Sequence, residues 1–404
     1  MAEHADTVVR RICATEAFHR AEAVLGEQHE RMVGDIVRLT EIPAPPFQEA
    51  ERAAAFLAMV QEHGLTNVQI DAAGNVTGLR RGGGEGILCV AAHLDTVFPA
   101  GTDVTVRRQG TRLMAPGVGD DTRSLAVLLA WLRAMDAAGI ATRKDLLIVG
   151  DVGEEGPGDL RGMRHLFLEG EYHGRIDCFI TVDSPDMGQI TTGGVGSKRY
   201  RVTFQGPGGH SYGAFGLVNP LYAMADAIQR LSRIEVPIEP RTTYSASVTG
   251  GGTSVNSIPD QVWTEFDLRS ESAAELARLE ASFLGLIDAA AVAENGARST
   301  RAGAVTVDLR KTGDRPAGST DPNGNLPLLA RAALRAHGFD PRFGASSTDA
   351  NIAMSLGIPA VKIGSGGTGG RGHSLAEWID VEPEASVRGM AAGLATVLAV
   401  AGLQ

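Results

Sequence analysis

Apolar positions along the chain change period several times, and each change marks a segment. Over residues 20–39 apolar side chains such as Ala23, Val24, Met32, Ile36 and Val37 recur at helical spacing, until the IPAPP run at 42–46 stops them. A second helix is predicted over 49–63, ended by Gly64. Short strand-like pieces follow at 68–70 and 76–79, then a wholly apolar run at 87–92. VTVRR and TRLMA read as a hairpin, and an apolar helix is predicted over 124–135. Strand and helix then alternate through 145–149, 160–168 and 176–182, the pattern of an α/β sheet covered by helices.

The texture changes near Gly193. KRYRVTFQ at 198–205 alternates like a half-exposed strand, and so do 242–249 and 262–269. Asn219 followed by Pro220 signals a helix start reaching about 234, and a further helix is predicted over 273–291, with a strand near 304–309. One polar face per strand and two helices imply a two-layer α+β unit inserted into the first domain. The α/β texture resumes at 326–337, 349–356 and 360–363 and ends in a helix over 383–403. The expected domains are therefore 1–194 with 312–404, and an insert of 195–311.

At 404 residues the chain exceeds one typical core, which agrees with two domains. The net charge of −11 argues against nucleic acid or an anionic membrane as partner. Cys13, Cys89 and Cys178 form no CxxC pair, and read as reduced thiols of a cytoplasmic protein. Neither a signal peptide nor a bilayer span is expected.

The chemistry gathers where the apolar strands stop. His93 and Asp95 close the run at 87–92, and on an extended backbone side chains two apart share a face, so the acid can orient the imidazole. Asp120 and Asp121 sit in a glycine-rich loop opening the 124–135 helix. Glu154 and Glu155 follow the strand at 145–149, Asp183 follows 176–182, and His373 lies past 360–363. Ends of neighbouring strands are where α/β sheets place ligands and chemistry. Two histidines, three carboxylates and a spare acid are the inventory of a two-metal hydrolytic site.

The pieces AHLDTVFP, GVGDD, GEEG, TVDSP, QGPGGHSYG, GGTSVNSIPD, FDLRS and GHSLAEW, in this order, resemble the M20 metallopeptidase family over nearly the whole chain from about Arg20. The resemblance implies a mixed-sheet, zinc-exopeptidase-like catalytic domain whose insert is a lid carrying dimer contacts. It implies that His93 and Asp183 bind one divalent ion, Glu155 and His373 a second, and that Asp120 bridges them, with zinc expected and cobalt or manganese as alternatives. Asp95 would orient His93, and Glu154 would be the general base. His210 would reach the neighbouring site of a homodimer to stabilise an oxyanion, while Asn256 and Arg269 hold the substrate, a small peptide or N-acyl amino acid. Many relatives continue the bridging Asp with x-Lys-Gly, whereas here Asp121-Thr122-Arg123 follows, which leaves the role of Asp121 and the subfamily open.

Other readings are available. The same scaffold suits other C–N hydrolyses, such as deamination or carbamoyl and ureido hydrolysis. GxSxG at 209–213 offers Ser211 as a serine nucleophile if a helix follows at once. GxGxxG at 364–369 offers a nucleotide site if it opens a helix, and a non-catalytic binding module is a further possibility.

Overall fold

The computed structural model describes residues 2–404, which fall into two compact units. The first combines the chain up to Gly194 with Ser319–Gln404, and the second is Val195–Gly318. The expected return at 312 is too early: it cuts the strand Thr306–Arg315, which pairs along its length with Gly196–Gln205 in the second unit's sheet.

The first unit is built on a nine-stranded mixed sheet. From one edge its order is Thr66–Ile70, Val76–Arg80, Asp145–Asp151, Ile87–His93, Ile176–Val182, Ala360–Ile363 and Gln189–Gly194. Ile87–His93 runs parallel to both Asp145–Asp151 and Ile176–Val182, and Ala360–Ile363 is parallel to the latter. The outer pairings with Val76–Arg80 and Thr66–Ile70 are antiparallel. Every residue of Ile87–His93 and of Asp145–Asp151 is buried, as continuous apolar runs demand when helices cover both faces. The parallel strands therefore end along one edge of the sheet, and Ile87–His93, Asp145–Asp151 and Ile176–Val182 end in or just before polar residues singled out above.

The helices differ from expectation at the amino-terminal end. Residues 20–39 are not one helix but parts of two, Glu16–Glu27 and His29–Thr40, separated where Gln28 leaves helical geometry at φ −105° and ψ 17°. An unexpected helix, Ala2–Cys13, turns Ala5, Val9 and Ile12 inward. Pro383–Ala401 is the one described helix long and apolar enough to cross a membrane, yet 72% of that apolar window is buried inside the protein. It is a core helix, packing Met390, Leu394 and Leu398 into the main cluster.

The second unit holds a four-stranded antiparallel sheet in the order Thr242–Gly251, Gln261–Ser270, Gly196–Gln205, Thr306–Arg315. Alternate residues of Gln261–Ser270 are buried against the helices Pro220–Leu231 and Ala273–Ala297, around Tyr200, Phe204, Phe266 and Phe283. Asn219 caps the first of these helices by accepting from the Leu221 N–H at 2.9 Å, as its Asn-Pro start predicts.

Candidate metal centre

His93 is the last residue of its strand and is almost fully buried. Its Nδ1 faces the backbone carbonyl of Asp95 at 2.9 Å, which turns Nε2 toward Asp120 Oδ1, also 2.9 Å away. The other oxygen of Asp120 lies 3.1 Å from His373 Nε2, and that nitrogen is 2.9 Å from Glu155 Oε1. A single carboxylate thus engages two imidazoles, one with each oxygen. Asp183, past the end of Ile176–Val182, joins His93 and Asp121 in a group whose donor atoms all lie within 4.8 Å of one another. Asp120, Glu155 and His373 form a second such group, and His93, Glu154 and Glu155 a third. All five expected ligand positions and the expected base therefore meet at one edge of the sheet.

His373 occupies the loop between the short strands Thr368–Gly370 and Trp378–Asp380, in the left-handed region at φ 60°. A non-glycine residue there is strained, a condition that collects at functional sites. Its side chain is 56% exposed while that of Glu155 is 8% exposed, so the cluster opens to solvent on the His373 side. A cavity of about 360 Å³ adjoins Asp120, with Ser184, Asp186, Thr368 and Trp378 in its wall.

The electrostatics are those of acids gathered without enough counter-charge. Burial pushes the Asp183, Glu155 and Asp121 carboxyls above the usual range. Burial opposes the charged form of His93, but Asp121, Asp120 and Asp95 outweigh it and raise the imidazole well above its ordinary value. His373, bonded to Asp120 and Glu155, is raised to about 11. For Asp120 burial acts upward, and its bonds to His373 and His93 win, holding it below the normal carboxylate range.

Asp95 departs from expectation. His93 Nδ1 bonds the carbonyl of Asp95 and not its carboxylate, whose nearest oxygen lies 3.8 Å from that nitrogen and acts on the imidazole through charge alone. The strand ends at His93, so regular strand geometry does not extend to Asp95. Instead Asp95 accepts the backbone N–H groups of Glu154 at 3.0 Å and Glu155 at 2.8 Å. Asp121, whose role the sequence leaves open, accepts the N–H groups of His93 at 3.1 Å and Ser184 at 3.3 Å. Two supporting residues lie outside the expected site, Arg52 with no motif around it and Glu377 within the GHSLAEW piece. Arg52, fully buried, donates to the carbonyls of Leu94 and Ile42 beside the His93 strand end. Glu377 accepts three backbone N–H groups of the Asp120 loop.

In the second unit, His210 and Asn256 share an open hollow with Thr253 and Asp260. Arg269 is not part of that lining; its Nε donates to Asp267 at 2.6 Å. Ser211 enters a stretch of turns, and the next helix begins only at Pro220, so the strand-to-helix elbow of a serine hydrolase is missing. The GxGxxG run leads into the strand Thr368–Gly370 and opens no helix.

Residues 89–399 match the model of peptidase family M20/M25/M40. The chain belongs to this family. It is 26% identical over 303 residues to a succinyl-diaminopimelate desuccinylase of Stenotrophomonas maltophilia (strain R551-3), covering 70% of this chain and 76% of that protein. Its fold is similar to aminopeptidase PepT from Bacillus cereus ATCC 10987, with TM-score 0.74 and 20% identity over 93% of this chain and 99% of the other. It is also similar to the YXEP protein of Bacillus subtilis, a dinuclear metal-binding peptidase of the M20 family, with TM-score 0.66 and 16% identity over 93% and 99% of the two chains. This M20 protein is an enzyme of the metallopeptidase and amidohydrolase class, with a mixed α/β fold and a cluster of residues able to hold metal.

Proposed function

We propose that this M20 enzyme is a two-metal hydrolase that cuts the amide bond of a small carboxylate-bearing peptide or N-acyl amino acid. The observation that carries the reading is the double engagement of Asp120 by His93 and His373, the arrangement a carboxylate shared between two cations requires. The donors fit such ions. Imidazole nitrogens and carboxylate oxygens suit zinc, cobalt and manganese, and the under-compensated buried acids call for positive charge. His93 and Asp183 would hold one ion, Glu155 and His373 the other, and Asp120 both. When bound, the ions polarise the scissile carbonyl and make water acidic enough to attack at neutral pH. Glu154 takes the proton from that water and passes it to the departing nitrogen. Asp95 fixes the backbone of Glu154 and Glu155, so the base and its neighbouring ligand keep their places.

The second unit is assigned as a lid that also carries the contacts of a homodimer. Support comes from the strand Thr242–Gly251, an outer strand of its sheet that is mostly exposed. His210 is assigned to stabilise the oxyanion of a partner's site: its Nδ1 accepts the N–H groups of Tyr212 and Gly213, which leaves Nε2 to donate. Asn256 and Arg269 are assigned to the substrate, Arg269 through a carboxylate. His210→Ala is expected to lower kcat by about 10²–10³-fold, the usual effect of losing one oxyanion donor. Bound metal, read by elemental analysis, should be unchanged; an unaltered kcat removes His210 from the site. The three free cysteines support a cytoplasmic location.

Metal uptake should release protons. The acids around His93 and His373 favour the protonated form of both imidazoles in the metal-free protein, whereas ligation needs them neutral. Affinity should therefore climb with pH, and calorimetry in buffers of different ionisation enthalpy should register proton release; none at pH 7 contradicts the assignment. The reaction itself is tested on dipeptides and N-acyl amino acids with free or blocked termini, using metal-loaded and chelated protein. Amine release that chelator abolishes is expected. Activity indifferent to chelator, with a phosphonate labelling Ser211, would sink the reading.

A further inference from the structure

Three buried carboxylates at the centre accept backbone N–H groups, and each one comes from one ligand-bearing loop and grips another. Asp95, two residues past His93, holds the N–H groups of Glu154 and Glu155. Asp121, next to Asp120, holds those of His93 and Ser184, the latter beside Asp183. Glu377, four residues past His373, closes the set. Its Oε2 accepts from Gly117 at 2.9 Å, and its Oε1 accepts from Gly119 at 2.8 Å and Asp120 at 2.9 Å.

The Asp120 loop is closed on itself by Thr122, whose hydroxyl and N–H donate to the Gly117 carbonyl at 2.8 and 3.3 Å, but the N–H groups of Gly117, Gly119 and Asp120 are tied by Glu377. Gly117 is left-handed at φ 76°, and a Cβ there would come within 2.6 Å of Thr96 Cγ2. At Gly119 a Cβ would approach Ile379 to 2.8 Å and Glu377 Oε1 to 3.2 Å, so the close seating of the loop on Glu377 requires glycine. A loop with two glycines is flexible unless its polar groups are tied, and three N–H groups on one carboxylate, itself 2% exposed, tie this one.

We infer that Glu377 is a positioning residue for the metal pair: by clamping Gly117–Asp120 from the His373 loop, it fixes the bridging carboxylate relative to His373 before any ion arrives. The inference rests on the two-metal reading and adds to it a residue outside the proposed ligand set, whose carboxylate acts through the backbone of the Asp120 loop. It separates two consequences. Removing the clamp should loosen the Asp120 bridge, while leaving intact the grips of Asp95 and Asp121 on the other loops.

The test titrates metal-free full-length protein with Co²⁺ alone, by calorimetry and by the visible absorption of the bound ion, with thermal melting alongside. Wild type should take up two equivalents. Glu377→Ala should bind the weaker equivalent about 10–100-fold less tightly, the usual cost of losing a group that supports a ligand. Its cobalt spectrum should also change. Glu377→Gln keeps one acceptor oxygen and should fall between the two, and it carries the test alone if the alanine variant does not fold. Ile12→Ala, in a helix that packs away from these loops, supplies a core-destabilised control and should keep both equivalents and the wild-type spectrum. Two equivalents at wild-type affinity with an unchanged spectrum in both Glu377 variants would overturn the role of Glu377 while leaving the two-metal reading standing. The same loss in Ile12→Ala would also overturn it, as general destabilisation. Wild type that takes up no cobalt would instead overturn the two-metal reading beneath it.

Discussion

Glu154→Ala is expected to leave the protein folded and fully metallated while kcat falls by about 10²–10⁴-fold, the range a positioned general base supplies. The side chain is buried beside His93 and Glu155, yet the proposed ligand set is complete without it. The loop that carries it should also keep its place, because Asp95 grips the backbone N–H groups of Glu154 and Glu155, and alanine retains them. Glu154→Gln, which fills the same volume but takes up no proton, should lose nearly as much. Steady-state kinetics with metal analysis on one preparation checks both. Turnover retained at the wild-type level would move the base elsewhere; lost metal would make Glu154 a ligand.

Asp120→Ala should act on the other branch of the account and lose metal and turnover together. Asp120 is the one side chain in contact with both imidazoles, through oxygens 2.9 and 3.1 Å from their nitrogens. Without it the two proposed ion sites have no shared ligand, and at least one equivalent of metal should be lost. A fall in kcat/KM exceeding about 10³-fold is expected, equal to roughly 4 kcal/mol of transition-state stabilisation. Excess metal should restore little, because affinity and geometry fail together. The contrast with Glu154→Ala separates holding the ions from moving the proton. A metal-replete Asp120→Ala enzyme with ordinary kinetics would break the bridging assignment.

Much of this could be read from the chain because parallel strands in a covered sheet are apolar runs with abrupt polar ends. His93, Glu154, Glu155 and Asp183 each stand just where such a run stops, so position and chemistry are legible together. His373 is harder to read, since a glycine-rich stretch separates it from its strand, and only the GHSLAEW resemblance ties it to the others. Assigning one ion to His93 and Asp183 and the other to Glu155 and His373 likewise came from resemblance, since spacing alone does not sort donors into pairs.

What was not legible involves backbone partners and local breaks. The grip of Glu377 on Gly117 spans 260 residues, and its acceptors meet N–H groups that every residue possesses, so no side-chain pattern announces it. Asp95 is a related case: the strand stops at His93, and the Asp95 carboxylate finds its partners in the backbone N–H groups of Glu154 and Glu155. The break in 20–39 is invisible in the pattern because apolar spacing tolerates an interruption at one polar residue, Gln28. The boundary at 312 was early because the alternating pattern of Thr306–Arg315 weakens where charged side chains dominate.

Diffraction from crystals grown with zinc, recorded on both sides of the zinc absorption edge, would locate the ions without assuming their ligands. Two anomalous peaks are expected, one against His93 and Asp183 and one against Glu155 and His373, with an oxygen of Asp120 on each. A lone peak, or a pair that shares no carboxylate of Asp120, would contradict the account.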